Sequence, residues 1–298
     1  MQTVAVVSLS LIPVVLSVAF LWGLLLYRER EIRNRTRRNP LNRNLLRSPG
    51  QSLQLQIDEL TIDLMGSCAI LIAIGPLVAN IVYATWLMEG RLRPMTVAIG
   101  ATAFIGGCVY VSRRIRQGWK ELLKLKLGLD AEECIGQELN YLMPLGFRAF
   151  HDIPCNDFNV DHVVVGPSGL FVVETKGRSK PLEECRVIFD GEKLQFPGWR
   201  EVSPVRQVLA STRWLEEWIS SAIGEEVRGT PVLAIPGWYV ERTTDDRSVL
   251  TVNGKKMAGA FQTFGRQQLR PELVQRISHQ LEERCRTVEP RAYKKDQK

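Results

Sequence analysis

No Cys-x-x-Cys pair occurs in the sequence, and its six cysteines (Cys68, Cys108, Cys134, Cys155, Cys185 and Cys285) lie far apart. That spacing argues against a disulfide scaffold or a zinc cluster and reads as free thiols in a reducing compartment. Asp, Glu, Lys and Arg are all missing from three long apolar runs, residues 4–27, 64–88 and 95–111, which excludes a wholly soluble or disordered chain. A helix needs roughly 20 apolar residues to cross a bilayer; the first two runs meet that length and the third lies near the lower limit of about 17. A re-entrant pair is the alternative for the second and third. No ionisable group sits within the runs, only Asn80 and scattered Ser and Thr, so a transport path has nothing to be built from. The helices read as an anchor. Positive charge is also missing before the first run, at Met1-Gln2-Thr3, and the run is too long for a cleaved signal peptide.

Charge accumulates after that run instead. Arg28, Arg30, Arg33, Arg35, Arg37, Arg38, Arg43 and Arg47 face only Glu29 and Glu31, a balance of +6. The positive-inside rule puts this stretch in the cytoplasm and the N-terminus outside, and Arg113, Arg114 and Arg116 after the third run agree. The expected layout is a three-span, multi-pass anchor over 1–112 in a cell inner membrane, with helices at 4–27, 64–88 and 95–111 and an Arg-rich cytoplasmic loop over 28–63. A basic amphipathic linker over 113–129, or a stalk continuing the third helix, leads to a cytoplasmic domain over 130–290 and a polar tail over 291–298. At 298 residues the chain has room for about two such units. Taking the +6 of those eight arginines and two glutamates from the chain's +7 leaves +1 for every other residue, so net charge gives the soluble domain no support for DNA binding.

Past Gly128 and Asp130, which read as closing one segment and capping the next, Glu132, Ile135, Leu139, Leu142 and Met143 recur at helical spacing up to Pro144 and Gly146. Residues 147–151 read as a strand. Residues 160–165 and 170–175 are β-rich and flank Gly166-Pro167-Ser168-Gly169, the composition of a tight turn. If Pro167-Ser168 is the tip, Asp161 stands opposite Glu174, with Cβ atoms about 5 Å apart. Lys176, two residues further on, projects from the same face. A three-residue tip would slip the pairing by one and separate the two acids. In the first register Asp161 and Glu174, with the Thr175 main-chain carbonyl, can hold a hard divalent cation such as Mg²⁺ or Mn²⁺. Lys176 can then steady a phosphate or activate water. The bland alternative is an ordinary hairpin with a salt bridge at its open end.

The order Glu132, then Leu142-Met143-Pro144-Leu145-Gly146-Phe147, His151-Asp152, Asp161-His162-Val163-Val164-Val165-Gly166-Pro167, Gly169, and Phe171-Val172-Val173-Glu174-Thr175-Lys176 resembles the NERD (nuclease-related domain) family. Ser203-Pro204-Val205-Arg206-Gln207 resembles that family's Asn-Pro-x-x-Gln helix start, and the likeness runs from about 130 to about 236. It implies a PD-(D/E)XK, restriction-endonuclease-like α/β core, a mixed sheet flanked by helices, and metal-dependent phosphodiester cleavage. By position it implies Asp161 and Glu174 as metal-binding acids, Lys176 as the lysine, Glu132 as the first-helix acid with Glu133 as rival, and Gln207 as a polar residue reaching the site. Phe158-Asn159-Val160 departs from the family's usual Gly-Asn-Ile, and Ala131-Glu132 from its Gly-Glu.

The expected function is a membrane-anchored nuclease acting on nucleic acid, DNA ahead of RNA, in defence against or processing of foreign DNA. A non-catalytic module that recruits a partner or nucleic acid to the bilayer is the alternative. Of the rest, His162 reads as packed, His151 and Asp152 as a supporting pair or a strand end, and Trp214, Leu215, Trp218 and Ile219 as a core stripe of a helix over 205–221. Residues 231–235 read as a central strand, Asn253-Gly254 as a second hairpin and 271–286 as a last amphipathic helix.

Overall fold

A computed structural model describes residues 19–28, 30, 40–41, 43–91, 93–182, 185–255 and 257–290. The chain divides into two compact units, one built on Asp58–Leu122 and the other on Arg43–Ile57 and Leu123–Glu289.

In the first unit the apolar runs form helices. Ala19–Arg28 (α1) is short, whereas Gln51–Glu89 (α2) and Pro94–Asn140 (α3) are each long and apolar enough to cross a membrane. Among the described residues two candidate spans therefore stand where three were expected over the whole chain. Residues 4–18 of the first run lie outside the described residues, and α1 alone is too short to cross. The helical parts of α2 and α3 in this unit approach closely where glycine leaves room. A Cβ at Gly107 would lie 2.1 Å from Ile74 Cδ1, and one at Gly100 3.1 Å from Val82 Cγ2, the small-residue contact by which helices pack where no hydrophobic effect drives them together. Their outer faces stay apolar and exposed, Ile72 at 76% and Met95 at 75%, an extent of apolar surface that marks a membrane or interaction face.

Two expected boundaries move. The stretch expected as a loop over 28–63 is helical from Gln51 onward. Helix α3 runs without a break through 113–129, as the reading of a stalk continuing the third helix has it, and on through Gly128 and Asp130, which neither close nor cap a segment, to Asn140. Continued apolar spacing at Leu122, Ala131, Ile135 and Leu139, all buried, outweighs the helix-breaking tendency of Gly128.

In the second unit, a 3₁₀ turn at Met143–Leu145 leads from α3 into a meander of Arg148–Pro154 (β1), Asn159–Gly166 (β2) and Gly169–Thr175 (β3). After it come Arg186–Phe189 (β4), Leu194–Phe196 (β5), Trp199–Glu201 (β6), helix Ser203–Ile223 (α4), Gly229–Ala234 (β7), Tyr239–Arg242 (β8), Leu250–Val252 (β9), and helices Met257–Thr263 (α5) and Pro271–Cys285 (α6). The main sheet has the order β1-β2-β3-β7-β9; β1, β2 and β3 pair antiparallel, and β7 and β9 join parallel. A smaller mixed sheet has the order β6-β5-β4-β8.

Every residue of β3 is buried, as a strand covered on both faces requires. Its Leu170 and Val172 meet Leu215 and Ile219 of α4 and Ile277 and Leu281 of α6. Its Phe171 and Val173 meet Ile135 and Leu139 of α3 and Phe261 of α5. Each such side chain contributes about 1.5–3 kcal/mol by leaving water, so β3 is the rigid centre from which the hairpin's open end projects. Asn253-Gly254 does not make the expected hairpin. Leu250–Val252 lies parallel to β7, and Gly254, at φ +98°, accepts the Met257 N–H that starts α5.

Candidate active site

The β2–β3 register pairs His162 with Val173 and Gly166 with Gly169, leaving Pro167-Ser168 at the tip. Gly169 sits at φ +147°, a conformation side chains disfavour. The next position outward sets Asp161 beside the end of β3, where its carboxylate accepts the Thr175 N–H at 2.6 Å. Lys176 Nζ donates to Glu174 Oε1 at 2.6 Å and to Gln207 Oε1, one turn into α4, at 3.0 Å. The hairpin thus brings Asp161, Glu174, Thr175 and Lys176 to one end of the sheet, and α4 adds Gln207.

Glu132 arrives from α3. It is buried and Glu133 is exposed, as their phase relative to Ile135 and Leu139 dictates. Gly177 is what lets α3 pass so near the end of β3: a Cβ there would lie 2.5 Å from the Leu127 carbonyl oxygen and 2.9 Å from Ala131 Cβ.

The electrostatics of this end are under-compensated. Burial lifts the Glu132 carboxyl to about 7, with the charges of Asp152 and Glu174 adding to the rise. Burial, then Glu174 and Glu132, hold Asp161 well above the usual aspartate range against the pull of the Thr175 N–H and Lys176. Burial also raises Glu174 while the Lys176 ammonium opposes it. Glu174 Oε2 is buried with no hydrogen-bond partner. A buried carboxylate oxygen left unsatisfied costs about 1–3 kcal/mol or more, and several acids raising one another's pKa mark a functional site more often than a structural one. Among the described residues no group of three or more His, Cys, Asp or Glu side chains has metal-binding spacing. The oxygens gathered at this end are the carboxylates of Asp161, Glu174 and Glu132, close enough for each to act on the others' charge. Hard cations such as Mg²⁺ accept that kind of set, filling their remaining positions with water and phosphate.

Next to these acids lies a further buried carboxylate, Asp152, which the sequence offers either as a supporting partner of His151 or as a strand end. Asp152, 1% exposed and at φ +49°, accepts from Arg47 Nε (2.9 Å) and Nη2 (2.5 Å), the Ser52 N–H (2.8 Å) and Ser52 Oγ (2.6 Å). It is the N-terminal anchor of α2, its charge answered by a guanidinium and by the helix's own unpaired N–H. Arg47 and Ser52 gave no signal in sequence beyond a basic stretch. His151 pairs with His162, Nδ1 to Nδ1 at 2.9 Å, and not with Asp152. Burial lowers His151 to about 4 and His162 well below the usual histidine range.

A cleft of about 430 Å³ opens over the site, lined by Glu132, Asp161 and Asp152, by Ser52 and Gln56 of α2, and by the β1–β2 loop from Cys155 to Asn159. Phe158 projects from that loop, 39% exposed.

Comparison with known proteins gives one finding. Residues 127–236 match the family model NERD, the nuclease-related domain. No curated protein and no solved structure matches the chain. The match takes in Glu132, the β2–β3 hairpin and Gln207, and stops before α5 and α6. It agrees with the family likeness read from the sequence.

Proposed function

We propose that this protein is a membrane-anchored, metal-dependent phosphodiesterase that cleaves nucleic acid, DNA ahead of RNA, at the cytoplasmic face of an inner membrane, where foreign DNA would be met or processed. The order helix, three-strand meander, helix and parallel strand is the arrangement expected of a restriction-endonuclease-like core. The observation that carries the reading is the unpartnered, buried Oε2 of Glu174, beside Asp161 and against a lysine that Glu174 and Gln207 already hold. Bound by Asp161 and Glu174, Mg²⁺ or Mn²⁺ would supply the Lewis acidity that polarises a phosphate and makes water a nucleophile at neutral pH.

The chain's own residues do the rest. Lys176 uses two of its three N–H groups on Glu174 and Gln207, which fixes the third for a phosphate oxygen or the attacking water. Gln207 gives Lys176 a second tether, from α4. Glu132, with a carboxyl near 7, can accept a proton from water at neutral pH and release it again.

The test is cleavage of single-stranded and duplex DNA and RNA by the full-length chain in lipid nanodiscs, with and without Mg²⁺. Metal-dependent cleavage should fall about 10²–10³-fold in Lys176→Ala and below detection in Asp161→Asn. Cleavage that survives both substitutions excludes this site. The reading as a non-catalytic recruiting module rests on the near-neutral charge outside the basic stretch; binding of nucleic acid with no turnover in any divalent metal would favour it.

A further inference from the structure

We propose that the cleft beside the acids receives one unpaired base of the substrate, stacked on Phe158, so that the strand cut at this site is single-stranded or locally opened. This rests on the phosphodiesterase reading and adds the form of nucleic acid.

The cleft is the wrong place for a phosphate. Its lining carries Glu132, Asp152, Asp157 and Asp161 and no Lys or Arg. A neutral group with hydrogen-bonding edges fits instead, and Gln56, Asn156 and Asn159 offer amides that can both donate and accept along a base edge. About 430 Å³ is at the small-ligand end of binding pockets, enough for a nucleotide and too small for a base pair with its backbone.

Phe158 supplies the flat face, and its support is already built. Its ring meets Trp214 edge-on, centroids 5.7 Å apart at 77°, and Trp214 stacks on Trp218 at 5.9 Å and 12°. Arg284 lies over both indoles, 5.0 and 4.7 Å from their centroids, while its Nε donates to the Pro154 carbonyl at 2.6 Å. The loop is closed by the Cys155 N–H to the Phe158 carbonyl at 2.9 Å. An exposed ring on a rigid backing is a platform on which a base stacks with little loss of entropy. Asp161 belongs to both the cleft lining and the acid cluster, so a base seated on Phe158 would bring an adjoining phosphodiester to the acids.

The experiment is fluorescence anisotropy of a short fluorescein-labelled single-stranded DNA, and of the same sequence as a duplex, with the full-length chain in nanodiscs and Ca²⁺ replacing Mg²⁺. Cleavage in Mg²⁺ is assayed in parallel. The single strand should bind at least about tenfold more tightly than the duplex. Phe158→Ala and Phe158→Leu should each lose roughly tenfold for the single strand only, and Phe158→Trp should keep it. Leucine retains apolar bulk without a π face, so unchanged binding in Phe158→Leu overturns the inference, as does equal binding of single strand and duplex. Cleavage of both substrates alike, untouched by the Phe158 variants, overturns it while sparing the nuclease. Phe158-dependent binding of the single strand without cleavage keeps the base site on Phe158 and overturns the nuclease reading, and with it the statement about which strand is cut. Absence of any binding overturns the inference whatever the cleavage result.

Discussion

Two buried carboxylate regions border the same cleft and have opposite electrostatics. Around Asp152 every charge is answered: a bidentate guanidinium from Arg47, a hydroxyl and a helix N–H. Around Asp161 and Glu174 there is one backbone N–H, one shared lysine, a third carboxylate and an oxygen with no partner. The first arrangement stabilises the fold; the second is one that folding alone would not select. Burying charge is tolerated when it is paired and expensive when it is not, so the difference sets a structural anchor apart from the proposed metal site.

The sharpest way to break the comparison is to remove one partner from each region. Arg47→Ala leaves Asp152 buried and unpaired and should cost about 3–5 kcal/mol of unfolding free energy, read by chemical denaturation in detergent. Asp161→Asn should do the reverse. Its amide oxygen can still accept the Thr175 N–H while the like-charge repulsion disappears, so stability should rise by about 0.5–2 kcal/mol. Equal losses in both variants would mean that the two regions are alike and that the acids are structural.

Metal sharpens the same contrast. At a concentration about 100 times its dissociation constant, Mg²⁺ should stabilise the wild-type chain by about 2.7 kcal/mol and Asp161→Asn not at all, measured as a shift in thermal midpoint. An equal shift in both would put the ion elsewhere.

How far these regions could be read in advance follows from the sequence distance of their contacts. The acid cluster is mostly local: Gly-Pro-Ser-Gly allows two tips, and once the two-residue tip is taken strict alternation places Asp161, Glu174 and Lys176 from one hairpin. Glu132 could be chosen over Glu133 by helical phase, although its nearness to Glu174 depends on the missing side chain at Gly177, which no periodicity reports. The anchor at Asp152 was invisible because its partners stand 105 and 100 residues away, in a stretch whose arginines look like a topology signal. Arg43 reinforces the point by pairing with Glu283 at 2.8 Å. A fragment starting at Gly128 would lack Arg47 and Ser52, so the folded unit is longer than the family-like stretch suggests. The helical start at Gln51 was missed for the same reason: its cap comes from a distant strand.

Proton linkage gives a graded prediction. The folded-state carboxyl of Glu132 is raised from 4.5 to about 7, so the folded chain holds that proton more tightly than the unfolded one. The metal-free wild type should therefore lose stability relative to Glu132→Gln as pH rises from about 4.5 to about 7, by an amount on the order of 2–3 kcal/mol, and run parallel to it above that. The histidine pair acts in the opposite direction: with His151 lowered to about 4, both proteins should lose stability as pH falls from about 6.5 towards 4. Because that loss is common to the two, subtracting one denaturation series from the other removes the histidines and leaves the titration of Glu132 together with its effect on Asp161.

The smallest effect belongs to Gln207, which touches only Lys176 among the groups placed in the site. Gln207→Leu keeps the side-chain bulk and removes the acceptor, so Lys176 retains its ion pair with Glu174 and loses its second tether. Stability should change by less than about 1 kcal/mol, since the lost bond is partly exposed. Turnover should fall by about 10–100-fold, the range seen when a group that orients a catalytic side chain is removed, with substrate affinity little altered. Gln207→Glu tests the direction: a fourth carboxylate restores an acceptor for Lys176 but adds negative charge where phosphate must approach. It should recover less of the rate than an isosteric tether would, and recover more of it as the Mg²⁺ concentration rises.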